Sequence, residues 1–256
     1  VICTPHLGAS TIEAQEKVAI QIAEQISDFL LTGAVNNAIN APSISAEEAQ
    51  LLGPYLQLAQ CLGSFVGQLT HDPIKALTVT YGGEANDLNV SPLTIQVVQS
   101  ILEHHSSYVN SVNAREVARD RNINVIEAHN EGRDEYPCRI TVAVETESKQ
   151  RSICGTLIQN RPRVIDVRGI PLESKLGEHM LYITNSDKPG VIGAIGSSTA
   201  ERGINIANMH LGRDTQAGNA MVLLEVDEKL ENDDLEHLRS LPNITNVQYL
   251  HFPAMQ

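Results

Sequence analysis

The chain has 256 residues and a mass of 27.9 kDa, which at about 150 residues per domain predicts two domains with an extra segment. Hydrophobic residues make up 42% and charged residues 19%, ordinary globular usage, and no apolar run approaches the roughly 20 residues a membrane-crossing helix needs. A net charge of −13, from 18 basic and 31 acidic residues, repels nucleic acid and anionic lipid at long range, so neither is expected as a partner.

Val1 to Thr4 reads as the end of a strand, and with no initiator Met the chain is expected to be a fragment. Ser10 and Glu13 fit a capping box, and Val18, Ile22, Ile26 and Phe29 follow at helical spacing up to Gly33. The apolar stripe of that helix needs a partner. The small, polar, Pro-terminated stretch from Ala34 to Pro42 reads as a crossing into a second domain.

A helix is predicted from Leu51 to Leu69 and a strand from Ile74 to Tyr81, then helices near Leu93 to His105 and Asn113 to Asn122. Four strand-like runs follow: Ile123 to His129, Arg139 to Glu145, Ser152 to Gln159 and Val164 to Val167. This order is that of an α+β domain. Lys149, Arg151, Arg161, Arg163 and Arg168 form a basic island around one acid, Asp166. Two readings stand: solvated outer positions of strands, or guanidinium forks for a carboxylate or phosphate.

From Met180 the order is strand, turn, helix, strand, strand, helix, strand, a ferredoxin-like βαββαβ pattern. Pro189 is expected at the first helical position and Gly203 just past the helix end. Gly190, Gly193 and Gly196 follow GxxGxxG rather than the dinucleotide GxGxxG, so they predict a small-residue face for close packing on a sheet, not a nucleotide loop. Cys3, Cys61, Cys138 and Cys154 show no CxxC spacing, which fits reduced thiols and a cytoplasmic location. His104 and His105 point about 100° apart on a helix, so no metal site is expected.

Thr4-Pro5-His6-Leu7-Gly8-Ala9-Ser10-Thr11, followed by Glu13-Ala14, resembles the last signature of the D-isomer-specific 2-hydroxyacid dehydrogenases. Tyr108-Val109-Asn110-Ser111-Val112-Asn113-Ala114 leading into Val117-Ala118 resembles the intervening domain of the long-form D-3-phosphoglycerate dehydrogenase family. Ile183 to Val191 with Gly203-Ile204-Asn205-Ile206 resembles an ACT domain. The resemblance implies a remnant of the catalytic domains over 1–41, an intervening α+β domain over 42–173 and an ACT domain over 174–256.

It further implies that His6 is the acid/base of an NAD-dependent oxidoreductase, with His6, Gly8 and Ala9 beside the nicotinamide; imidazole supplies the near-neutral pKa that role needs. The other catalytic groups lie upstream in that family, so this chain alone is expected neither to bind NAD nor to turn over. For the intervening domain the resemblance implies an anion site, placed at Arg161, Arg163 and Lys175. For the ACT domain it implies an L-serine effector held by Asn185, Asp187, Gly190, Val191 and Asn205 between two modules, hence a homodimer or larger assembly. Two alternatives share these features: a freestanding amino-acid-binding regulatory protein, and a subunit of an L-serine dehydratase.

Overall fold

The computed structural model describes residues 8–132, 135–214 and 218–252. The chain divides by contact into two units, 1–53 and 54–256. The sequence expectation of a boundary near residue 42 thus meets a division between Gly53 and Pro54, and the intervening and C-terminal portions lie together in the second unit.

In the first unit, α1 (Ile12–Thr32) is capped by Thr11, whose Oγ1 accepts from the Ala14 N–H at 3.2 Å, and ends at Gly33 with φ of 76°. The cap is therefore one residue later than the expected Ser10. The left-handed Gly33 lets its N–H close on the Phe29 carbonyl. The stripe of Val18, Ile22, Ile26 and Phe29 is exposed. After a single bridge between Val35 and Ile44, Ser45 and Glu48 form a capping box at the start of α2 (Ala46–Leu69).

The second unit contains two sheets. The first has six strands in the order β2-β1-β3-β4-β5-β6: β1 (Ile74–Gly83), β2 (Asn124–Asn130), β3 (Cys138–Thr146), β4 (Gln150–Ile158), β5 (Arg161–Val167) and β6 (Ile170–Ser174). Only β1 and β2 are parallel, because the helices α3 (Ser91–Leu102) and α4 (Ala114–Asp120) carry the chain between them. Register places Leu77, Val79 and Tyr81 opposite Val144, Val142 and Ile140, all buried. That stripe and the helices form one core, and Tyr81 OH bonds Thr94 Oγ1 at 2.8 Å to tie β1 to α3.

Helix α2 fits this core through missing side chains. A Cβ on Gly63 would stand 2.8 Å from the Val97 carbonyl oxygen of α3, and one on Gly155 of β4 would stand 2.8 Å from Leu58 Cδ1 and 2.9 Å from the Arg163 oxygen. Helix, helix and strand approach closely there because no Cβ intervenes.

The second sheet has the order β10-β7-β9-β8, from β7 (His179–Ser186), β8 (Ile206–Arg213), β9 (Asn219–Val226) and β10 (Ile244–His251). Helices α5 (Val191–Glu201) and α6 (Asn232–Arg239) complete the βαββαβ order. Leu181, Ile183, Val222, Leu224 and Val247 turn one face of the sheet toward Val191, Ile195, Leu235 and Leu238. The expected α+β class and ferredoxin-like module are both present.

Two local expectations fail, and one strand was not foreseen. Pro189 precedes the N-cap Gly190 rather than occupying the first helical position. A Cβ on Gly193 or Gly196 would meet nothing within 4 Å, so the glycine face of α5 looks outward instead of packing on the sheet. Strand β6 was not read from the sequence, because Pro171 removes a ladder donor, yet Pro is tolerated on an edge, where β6 lies.

Two tests follow from this packing. Gly155→Ala is expected to destabilise the protein by about 1–3 kcal/mol through overpacking, whereas Gly193→Ala, in open space on a helix, is expected to be neutral or stabilising by roughly 0.5–1 kcal/mol; urea denaturation of both variants checks the contrast. His104, its Nε2 3.0 Å from Ser64 Oγ, is held below the usual histidine range by burial first and by His105 second. The native state then binds fewer protons than the unfolded one, so this contribution to stability is full above about pH 6.5 and lost as pH falls through the depressed value. His104→Gln should flatten the stability–pH curve in that window.

Candidate effector site

The end of β7 and the start of α5 enclose a recess of about 380 Å³ lined by Asn185, Asp187, Lys188, Gly190, Leu211 and Arg213, among others. Asn185 is 3% exposed; its Nδ2 donates to the Ser186 carbonyl at 2.9 Å, while its Oδ1 is buried with no partner. Asp187 is fixed through its N–H to the Gly218 carbonyl and meets Arg213 Nε at 3.5 Å. Gly190 caps α5 at φ of 94°, a conformation that favours glycine. The first N–H groups of that helix, beginning at Val191, therefore have no intrahelical acceptor. An acid, a base, an unsatisfied amide oxygen and a helix N-terminus thus share one recess, a donor and acceptor set suited to a zwitterion.

Asn205 is not part of this constellation within one chain. Strand β7 runs antiparallel to β9 with Asn185 opposite Ala220, and β9 runs antiparallel to β8 with Val226 opposite Ile206. Asn205 therefore stands at the far end of the sheet, roughly 20 Å away at 3.3 Å per residue, where its amide donates to Asp227 Oδ2 and its N–H to Glu228. The expectation that these groups converge in one copy is corrected by the strand polarity. Arg213 and Leu211 were missed by sequence reasoning; the signal was available, since the strand that follows Asn205 must return its far end to the β7 terminus.

For the basic residues expected to form an anion site, the β5–β6 register, Val164 opposite Ser174, sets Arg163 beside Lys175. Arg161 opens β5 and is exposed. Arg163 Nη1 donates to the Pro162 carbonyl at 3.0 Å, and Lys175 lies 3.8 Å from Glu225 of β9, an acid that sequence reasoning did not place there. His6 lies outside the described residues, while Gly8 and Ala9 are exposed in a turn.

The cysteines Cys61, Cys138 and Cys154 are buried thiols outside any disulfide among the described residues, and burial pushes the Cys61 thiol up to about 12. Among the described residues, Glu178, His179 and His251 bring donor atoms within 4.8 Å of one another, with His179 Nδ1 2.6 Å from Tyr249 OH, a cluster the sequence reading did not foresee. No helix of the described residues is long and apolar enough to cross a membrane.

A family model for the D-3-phosphoglycerate dehydrogenase intervening domain matches residues 51–168, and one for the ACT domain matches residues 179–243. D-3-phosphoglycerate dehydrogenase of Bacillus subtilis is 33% identical over 255 residues, covering 99% of this chain and 49% of that protein. The Synechocystis enzyme of the same name is 36% identical over 250 residues, covering 96% and 45%, and that of Methanocaldococcus jannaschii is 32% identical over 252 residues, covering 98% and 48%. The chain spans about half the length of the curated relatives it matches. It carries a D-3-phosphoglycerate dehydrogenase intervening domain and an ACT domain.

If the recess is built for a ligand, its buried acceptor is retained at a cost to folding. Leaving such an atom unsatisfied costs about 1–3 kcal/mol, so Asn185→Leu, of similar shape, is expected to leave stability unchanged or raise it by up to about 1 kcal/mol; a chemical denaturation curve measures this.

Proposed function

We propose that the chain is the regulatory part of an NAD-dependent D-3-phosphoglycerate dehydrogenase serving L-serine synthesis, and that its ACT domain binds L-serine or a close amino acid. The observation that carries this reading is the pairing of Asp187 and Arg213 at the mouth of the recess beneath the start of α5. Asp187 is placed to accept from an ammonium, together with the unsatisfied Oδ1 of Asn185. Arg213 and the open N–H groups of Gly190 and Val191 are placed to donate to a carboxylate. A small zwitterion is then held by a few directional, charge-assisted bonds.

The proposal includes a second copy of the chain. Strand β8 is an edge of its sheet, and edge backbone groups favour pairing with a twin. Two β8 strands paired antiparallel about a two-fold axis would bring the Asn205 end of one copy to the Arg213 end of the other. Asn205 then joins Asp187 across the interface rather than within one chain, so effector binding and association are linked.

In the whole enzyme, His6 would exchange a proton with the substrate hydroxyl beside the nicotinamide, with Gly8 and Ala9 along the cofactor. NAD supplies the hydride acceptor when bound; the residues of this chain supply only the proton transfer and that side of the cofactor's surroundings. The chain by itself is proposed not to bind NAD tightly. Arg161, Arg163 and Lys175 are proposed as the anion-binding residues of the intervening domain, with Glu225 as a competing acid at Lys175.

Calorimetric titration of the purified chain with L-serine tests the effector reading. Asp187→Ala is expected to cost about 1.5–3 kcal/mol of binding, roughly 10- to 150-fold in affinity, and Asn205→Ala is expected to weaken both binding and dimerisation. Serine should also raise the thermal midpoint in a concentration-dependent manner. A dimeric chain whose midpoint responds to no common amino acid would remove the proposal.

A further inference from the structure

We infer that a second ligand site lies in the cleft between the two sheets, built for a small organic polyanion that also carries a hydroxyl group. The cleft encloses about 550 Å³. One wall is the start of β4 with the end of β5 and the final turns of α2; the other is the face of β7 and β10 opposite to their helices.

Charge and hydrogen bonding specify the occupant. Lys149, Arg151 and Arg168 line the cleft and no acidic residue does, in a chain whose net charge is −13. None of the three cations has an ion-pair partner among the described residues. Lys149 and Arg168 stand at the exposed rim, while Arg151 is partly buried and its Nη1 is shut off from solvent without a hydrogen-bond acceptor. A buried guanidinium N–H that lacks an acceptor asks for an oxyanion.

From the opposite wall, Gln248 presents an Oε1 that is likewise buried without a donor, and Thr184 and Thr245 add hydroxyls bonded to each other at 2.8 Å. An orphaned donor on one sheet and an orphaned acceptor on the other are both answered by one molecule with anionic oxygens and a hydroxyl. Phe65, Val66 and Tyr182 form an apolar part of the lining, which excludes water and strengthens each charge–charge contact. Inorganic anions have no hydroxyl-bearing carbon body to fill such a volume; a hydroxy polycarboxylate or the phosphate monoester of a polyol does.

This site is separate from the effector recess and from Arg161, Arg163 and Lys175, and does not depend on the function proposed above. The strand order explains the division of the basic island: the β4–β5 ladder pairs Ile153 with Val167 and Ile158 with Arg161, so Arg151 and Arg168 lie at one end of the hairpin and Arg161 at the other.

Isothermal titration of the full chain tests it, with citrate as hydroxy polycarboxylate, glycerol 3-phosphate as phosphate monoester, tricarballylate as citrate without its hydroxyl, and acetate as control. Citrate or glycerol 3-phosphate is expected to bind one per chain with a Kd below about 1 mM, more tightly than acetate by about 100-fold; which of the two binds better assigns the source chemistry. Arg151→Gln should weaken binding about tenfold or more, and Gln248→Leu should erase the preference for citrate over tricarballylate. Should Arg151→Gln fail to fold, the exposed pair Lys149→Gln with Arg168→Gln replaces it with the same expected loss. Absence of binding by both probes up to 10-fold above that limit, unaltered affinity in these variants, or loss of binding in Arg163→Ala with Lys175→Ala would each overturn the inference.

Discussion

The architecture of the larger unit depends on the last three turns of α2 serving two sheets at once. Leu58 and Leu62 of that helix fill the space left by Gly155 on β4, while Phe65, one turn on, meets Tyr182 of β7 edge-on at 6.0 Å and stacks with Phe252 at 6.4 Å. With no Trp and only three Phe in the chain, these few rings contribute a large share of the apolar area that joins the halves. Gln68, on the next turn, adds a polar counterpart: its amide donates to the His251 carbonyl at 3.1 Å and accepts the His251 N–H at 2.8 Å. The side chain imitates a neighbouring strand, so the helix is hydrogen-bonded to the second sheet as well as packed on it.

That arrangement gives each face of the C-terminal sheet a separate use. The face bearing Leu181, Ile183, Leu224 and Val247 is closed by α5 and α6. The alternate residues Tyr182, Thr184 and Gln248 look the other way, into the cleft. Because side chains alternate along a strand, β7 places Thr184 in the cleft and the next residue, Asn185, in the effector recess. The unsatisfied Asn185 Oδ1 lies in the recess, and Gln248 Oε1 with Arg151 Nη1 in the cleft; these are three of the four buried side-chain polar atoms among the described residues that have no hydrogen-bond partner, Ser198 Oγ being the fourth.

Much of this was legible in the sequence. Strand alternation and helical spacing located most elements, and the turn before Val191 with the left-handed Gly203 delimited α5. What escaped was information that depends on the path of the chain. Pro171 disguised β6, whose partner and edge position are set by tertiary pairing. Asn185 and Asn205 seemed to converge because both flank α5 in sequence, but the strand after the helix starts at the opposite end of the sheet. The basic residues formed one island in sequence, yet the β4–β5 hairpin sends them to separate places, and the carboxylate of Glu225 reaches Lys175 from a strand some fifty residues later.

The same path makes the two edges of the C-terminal sheet, β10 and β8, differ in how they are covered. An exposed edge presents unpaired backbone groups and is usually blunted. At β10 the edge is partly blunted: Arg239 donates from Nε and Nη2 to the Val247 carbonyl at 3.1 and 2.9 Å, and Gln68 occupies both backbone groups of His251. At β8 no side chain among the described residues is bonded to the backbone between Ile206 and Leu211, and β6 packs against β8 at Gly212, where a Cβ would stand 2.7 Å from Ile170. An edge covered by an arginine and a glutamine beside one without such cover supports the pairing through β8 proposed above. Since that edge runs from Asn205 to Arg213, antiparallel pairing would complete two effector recesses at once, one at each end of the joint sheet.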